Sequence, residues 1–289
     1  MLARAGVPVT LIGRARHVDA IRRDGLFFDG LTFQEQIPVA AATEVAVARD
    51  AAIVLFCVKT VDTESAAKEL APHLAPDAVV VSLQNGVDNA SRIRRATGIE
   101  AIPAVVYVGA SMTAPGRVKH SGRGDLVIGD MFQNDRLRQR LEGIAALFGQ
   151  AGVPCRISDN VEGELWTKMI INCAYNAISA LGRARYGVLV RQPETRSVMR
   201  GVIEEALAVA RASGVRLPDV DMLATVRKIG DALSEATSST AQDIERGNRT
   251  EIDSLNGYLV RRGAEFGVPT LVNHTLHALV KLLESGARA

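Results

Sequence analysis

Lys168, Asn172 and Asn176 recur at i, i+4 and i+8 within the segment from Glu164 to Ala180, ELWTKMIINCAYNAISA. At helical pitch all three side chains leave the same face. Between them Met169, Ile170, Ile171, Cys173, Ala174, Tyr175 and Ala177 would bury most of the remaining surface and carry Lys168 into a partly dry setting. An ammonium there is costly unless it is paired, shifted in pKa or facing a ligand. The same residues also suit a lysine that snorkels to water while the two asparagines bond neighbouring helices.

Elements must exist to place this line of polar groups. From about Ser158 onward the chain reads as helix throughout: Asn160 to Leu181, Pro193 to Ser213, a segment from Asp219 into the 230s, Thr250 to Phe266 ending at Gly267, and Val272 to Glu284. The first half instead alternates short valine- and isoleucine-rich runs with helical patterns. Val7 to Ile12, Ala52 to Val58, Ala78 to Leu83 and Ala101 to Val108 read as parallel strands covered on both faces, with Thr63 to Leu74 and Val87 to Ala96 as crossover helices. Arg117 to His120 and Asp125 to Ile128 read as a hairpin turning at SGRG, which puts the triplet Arg123-Gly124-Asp125 in the turn. A helix from Asn134 to Gln150 and a strand from Val153 to Ile157 close this half. The expected architecture is α/β: a Rossmann-type dinucleotide-binding domain over residues 1–157, then an all-α substrate and catalytic domain over 158–289.

Bulk properties narrow the class of function. A net charge of +2, scattered arginines and 4% aromatic residues argue against a nucleic-acid surface. Any basic patch suits a small anion better. No apolar stretch reaches membrane-spanning length, and the N-terminus lacks the order of a secretion signal. Cys57, Cys155 and Cys173 are odd in number and embedded in apolar segments, so they read as reduced core thiols in a cytoplasmic protein. His274 and His277 could share a helix face, but no acidic or thiol ligands accompany them in sequence, so no metal site is expected.

The run VPVTLIGR has the form of a dinucleotide fold's second strand, at whose end the adenosine ribose is read. An acidic residue there would favour NAD. Arg14, followed by Arg16 and His17, favours a 2′-phosphate and so NADP(H). A solvated basic loop is the other reading. The glycine-rich turn normally lies about 20 positions upstream, which would fall before Met1, and no GxGxxG occurs in these residues. Residues 2 to 5, LARA, read as the end of the helix after that turn, so the domain is expected to be incomplete, lacking its first strand and phosphate-cradling turn. Lys59, after AIVLF, and Asn85, after AVVV, stand at strand C-termini, where open α/β sheets bind ligands.

Taken together, the LIGR strand end, VKT, QNGVDN, APGRVKHSG, LWTKMIINCAYN and SSTAQDIERGNRTEIDSLNG resemble the ketopantoate reductase (2-dehydropantoate 2-reductase) family over essentially the whole chain. The resemblance implies NADPH-dependent reduction of a 2-oxo acid, ketopantoate to pantoate, on the route to pantothenate and coenzyme A. It implies Lys168 as proton donor, Glu251 as the acid completing the site, and Asn172, Asn176 and Ser239 as substrate contacts. Arg14, Lys59, Asn85 and Ala110 match cofactor positions, Asn85 is implied on the substrate side as well, and Glu251 is implied at the cofactor besides its catalytic part. A further asparagine expected after the catalytic helix is not evident, and Tyr186 lies near its place. A related 2-oxo or hydroxy acid reductase, or an inactive NADP-binding homologue, are the competing readings. The long apolar C-terminal helices make a homodimer plausible.

Overall fold

In the computed structural model, which describes residues 1–286, the chain divides into two units. The first comprises Met1–Val58 and Asp62–Val161, the second Lys59–Val61 and the chain from Glu162 onward. No described helix is long and apolar enough to cross a membrane.

The first unit holds, in chain order, β1 (Thr10–Ile12), α1 (Ala15–Asp24), β2 (Leu26–Asp29), β3 (Gln34–Ile37), β4 (Ala40–Ala42), β5 (Ile53–Phe56), α2 (Thr63–Leu70), β6 (Val79–Ser82), α3 (Asn89–Thr97), β7 (Ile102–Ala114), β8 (Arg117–Ile128), α4 (Asp135–Gln150) and β9 (Cys155–Ile157). β1 runs parallel to β4 as a separate pair, and the remaining strands form a seven-stranded sheet ordered β3-β2-β8-β7-β6-β5, with β9 beside β8. Among the described residues β1 and β5 each keep one unpaired edge. Residues 3–5 form a single 3-10 turn closed by Gly6 in the left-handed region.

β5, β6 and the start of β7 are parallel, as their composition predicted. β2–β3 and β7–β8 are antiparallel, so the sheet is mixed. The hairpin differs from the sequence reading. SGRG does not turn: β8 runs straight through it, with register shifts opposite Tyr107/Val108 and Gly109/Ala110. Gly122, Arg123 and Gly124 all have positive φ there, so the glycines serve bulges that twist a long ribbon. The chain reverses instead at Pro115-Gly116, where Gly116 has φ 68° and a Cβ would meet Ala20 at 3.1 Å. Arg123 and Asp125 are therefore strand residues that pair with each other at 2.7 Å.

Strand alternation explains the two cores of this sheet. Val81, Ile102, Ala104, Leu126 and Ile128 point to one face and meet Leu137, Leu141, Ile144 and Phe148, which recur at helical spacing on α4. Val80 points the other way, against Phe56, Ala67 and Leu70 and against Ala90 and Ile93 of α3. Each fully buried aliphatic side chain contributes roughly 1.5–3 kcal/mol over its exposed state.

The second unit is helical: α5 (Val161–Gly182), α6 (Tyr186–Arg191), α7 (Pro193–Ala212), α8 (Met222–Ala232), α9 (Ser239–Glu245), α10 (Asn256–Phe266) and α11 (Leu271–Gly286). The single helix expected from Thr250 to Phe266 is broken. Residues 252–254 form a 3-10 turn, and Leu255 leaves helical geometry before α10 begins. Thr250 is pulled away by a buried partner, described below. Two short helices, α6 and α9, were not foreseen.

Candidate active site

α5 is apolar nearly all round, and its burial follows. Ile170, Cys173, Ala174, Tyr175 and Ala177 are fully inaccessible. Along the polar line Asn176 is buried, while Lys168 and Asn172 are half-buried, so none of the three is an exposed surface residue. Burial pushes the Cys173 thiol far above its ordinary range, which leaves it an inert core group. The helix is pinned from behind: the Tyr175 hydroxyl donates to the Val226 carbonyl at 2.6 Å, and its ring stacks on Tyr186. Burial raises the Tyr186 phenol to about 12, so it stays protonated at neutral pH.

Ser238 and Ser239 bring α9 to the same helix. Ser238 is the N-cap: its hydroxyl accepts from Ala241 N–H at 3.0 Å and donates to the Asn176 carbonyl at 3.1 Å. Its own N–H donates to the Ser179 hydroxyl at 3.3 Å. Ser239, the first helical residue, is exposed and accepts from Asn176 Nδ2 at 3.5 Å, the long limit for such a bond. Asn176 and Ser239 are thus brought together by a serine that the sequence reading did not single out.

Glu251 sits on the irregular loop before α10 and is half-buried. Its Oε1 accepts from the Thr60 N–H at 3.0 Å. The residue before Thr60, Lys59, donates to both carboxylate oxygens of Asp243 at 2.7 Å and to the Arg249 carbonyl at 3.1 Å. Lys59 therefore stands paired, with Asp243 a partner that sequence reasoning missed.

The loop is held by one face of α11. Thr250 donates from its N–H and its hydroxyl to Glu284 Oε1, both at 2.7 Å. Lys281 reaches Glu284 at 3.1 Å and Asp253 at 2.9 Å, and His277 bonds Asp253 at 2.7 Å. Burial alone would raise the Asp253 carboxyl, but the bonds from His277 and Lys281 outweigh it and hold it below its usual range. Glu284 behaves alike: burial opposes the charge, and the Thr250 bonds with Lys281 more than offset it. His277, considered above as a metal ligand, is engaged with Asp253, while His274 is exposed.

The remaining sequence-derived positions lie in the first unit. Arg14 is exposed at the end of β1, where it is the N-cap residue of α1, and among the described residues no hydrogen bond or ion pair holds its side chain. Asn85 follows β6 and precedes Gly86, whose φ is 104°. The loops after β5 and β6 are tied by Gln84, which donates to the Val58 carbonyl at 3.0 Å and the Thr63 hydroxyl at 2.7 Å. Asn89 donates to the Asn85 carbonyl at 2.7 Å, fixing its backbone. Ala110 lies exposed on β7. The three cysteines are free, but Cys57 is exposed at the end of β5 and is not a core thiol as expected. The strand's last buried side chain is Phe56.

A model described as ketopantoate reductase PanE/ApbA matches residues 1–133, and its C-terminal counterpart matches residues 160–284. A 2-dehydropantoate 2-reductase of Archaeoglobus fulgidus is 34% identical, covering 99% of this chain and 93% of its own length. The enzyme of that name from Pyrococcus horikoshii is 33% identical, covering 99% and 92%. The crystal structure of a PanE/ApbA family ketopantoate reductase from Ralstonia eutropha superposes with a TM-score of 0.93 at 49% identity, covering 100% of this chain and 94% of that one. A D-mandelate dehydrogenase bound to NADH and anilino(oxo)acetate superposes with a TM-score of 0.92 at 21% identity, covering 100% and 94%, which is a likeness of fold. Both halves match one family's models and the curated relatives align along nearly the whole length, so this chain is a member of the ketopantoate reductase family.

Proposed function

We propose that this chain reduces the ketone of 2-dehydropantoate to an alcohol with NADPH. The observation that carries the reading is one helix face presenting Lys168, Asn172 and Asn176, with Ser239 bonded to Asn176 in the same unit. The names of the curated relatives supply the substrate.

Donor chemistry on the first unit fits the cofactor. An unengaged guanidinium at Arg14, at the start of α1, suits a 2′-phosphate, Asn85 would bond the nicotinamide side, and Ala110 matches a cofactor position of the family. Lys59, in the second unit, is paired with Asp243 and would serve the cofactor only while keeping that counter-ion. When bound, the dinucleotide supplies the hydride. The protein's own part is electrostatic and positional: the Lys168 ammonium stabilises charge developing on the ketone oxygen and yields it a proton. Asn172, Asn176 and Ser239 bond the substrate's polar groups, and Glu251 orients the ammonium or the new hydroxyl.

Incubation of the purified chain with NADPH and 2-dehydropantoate should consume NADPH and form pantoate. Binding of NADPH with no turnover would leave only a dinucleotide-binding protein. Another 2-oxo acid is the rival substrate in that assay, since fold does not fix substrate. A higher kcat/KM for another member of a 2-oxo acid panel would replace the first assignment.

We further infer a cytoplasmic homodimer. Free thiols support the compartment. Leu271 and Leu282, 73% and 67% exposed on the face of α11 that also carries Leu279, support a second copy covering that helix.

A further inference from the structure

We propose that the last turns of α11 are a positioning element for Glu251, with Glu284 as the residue that sets it; this rests on the reading of Glu251 as a site residue. His277, Lys281 and Glu284 recur at i, i+4 and i+7 and so share one helix face. That face fixes the chain on both sides of Glu251. On one side Thr250, 1% exposed, gives its N–H and its hydroxyl to the Glu284 carboxylate. On the other, Asp253 is held by His277 and Lys281, with Arg249 3.7 Å from its second oxygen. The loop is also closed on itself: Ile252 N–H donates to the Thr250 hydroxyl at 3.2 Å and Ser254 N–H to the Glu251 carbonyl at 2.9 Å.

A carboxylate as buried as Glu284 is costly unless its oxygens are bonded, and here one takes two bonds from the loop and the other takes Lys281. With residues 250 and 253 fixed, the backbone of Glu251 is left one course, and only its side-chain torsions remain to be set. The Thr60 N–H, which donates to its Oε1, then selects among them. Glu284 thus acts on the reaction through Glu251, without touching substrate or cofactor.

A double-mutant cycle separates this role from simple stabilisation. E284A, E251Q and the double variant are compared for thermal unfolding, NADPH affinity, and kcat and KM for 2-dehydropantoate, well below each unfolding midpoint. E284A should lower kcat/KM by roughly 10-fold with NADPH affinity unchanged. E284Q, which keeps an acceptor oxygen for Thr250, should recover to within about 3-fold. In the E251Q background the E284A effect should shrink below about 2-fold. Should E284A fail to fold, T250V gives the same comparison by removing the hydroxyl bonds to Glu284 and Ile252. An undiminished kcat/KM in folded E284A, or an equal loss in both backgrounds, overturns the positioning role. Full activity of E251Q would instead remove Glu251 from the site, and the role of Glu284 with it.

Discussion

In the proposed reaction Lys168 is the proton donor, and its replacement gives the cleanest residue-level test. Lys168→Ala should lower kcat roughly a hundredfold or more, the range for loss of a positioned acid, while NADPH affinity changes little. Steady-state kinetics beside a fluorescence titration would check both halves. Arg14→Ala should raise KM for NADPH by roughly 10–100-fold, the equivalent of about 1.5–3 kcal/mol for a charge-assisted bond, and leave KM for NADH nearly unchanged. Equal effects on the two cofactors would remove the phosphate role. The polar line on α5 was legible because helical spacing and an apolar surround mark it in any sequence. Glu284 was not, since its partner Thr250 lies 34 positions away and nothing local announces the pairing.

At the level of elements, the grip of α11 on the loop makes a pH dependence with a definite sign. Asp253 and Glu284 are held below their ordinary values of 3.8 and 4.5, so their stabilisation is present above those values and is lost as pH falls through the lower folded ones. Lys281 is raised above 10.5, chiefly by its bond to Asp253, so its contribution is complete below 10.5 and fades as pH rises through the raised value. Hydrogen exchange at the amides of Thr250 and Ile252 should show protection through the neutral range that fails first in acid. Protection unchanged down to pH values where the global fold is lost would contradict this coupling. Behind α5, Gly230→Ala should cost about 1–3 kcal/mol in denaturant unfolding. Its Cβ would lie 2.3 Å from Val190 and 2.5 Å from the Tyr175 hydroxyl.

These elements also show what the sequence could and could not disclose. Long periodic helices such as α4, α5 and α7 and the valine-rich strands β5 and β6 were readable from local pattern. β3, with the sequence QEQI, carries no β-branched run and owes its strand form to pairing with β2. SGRG looked like a turn because glycine marks turns and bulges alike, and only the partner strand decides which. The break after Thr250 comes from a tertiary bond that overrides a helical pattern.

For the whole molecule, the residues of the proposed reaction fall by unit: Arg14 and Asn85 belong to the strand-rich unit, and Lys168, Asn172, Asn176, Ser239 and Glu251 to the helical one. If a second copy covers α11, Leu271→Glu with Leu282→Glu should convert a dimer to a monomer in light scattering, and a monomeric parent chain would exclude the assembly. The central claim is that this chain transfers hydride to a 2-oxo acid with Lys168 supplying the proton. A single-turnover mixing of enzyme, NADPH and 2-dehydropantoate tests it most directly, run in parallel with Lys168→Ala. Rapid NADPH oxidation in the parent chain and its near-abolition in the variant, with binding intact in both, is the expected result. Equal oxidation rates in the two, or none in the parent chain despite bound NADPH, would contradict the account.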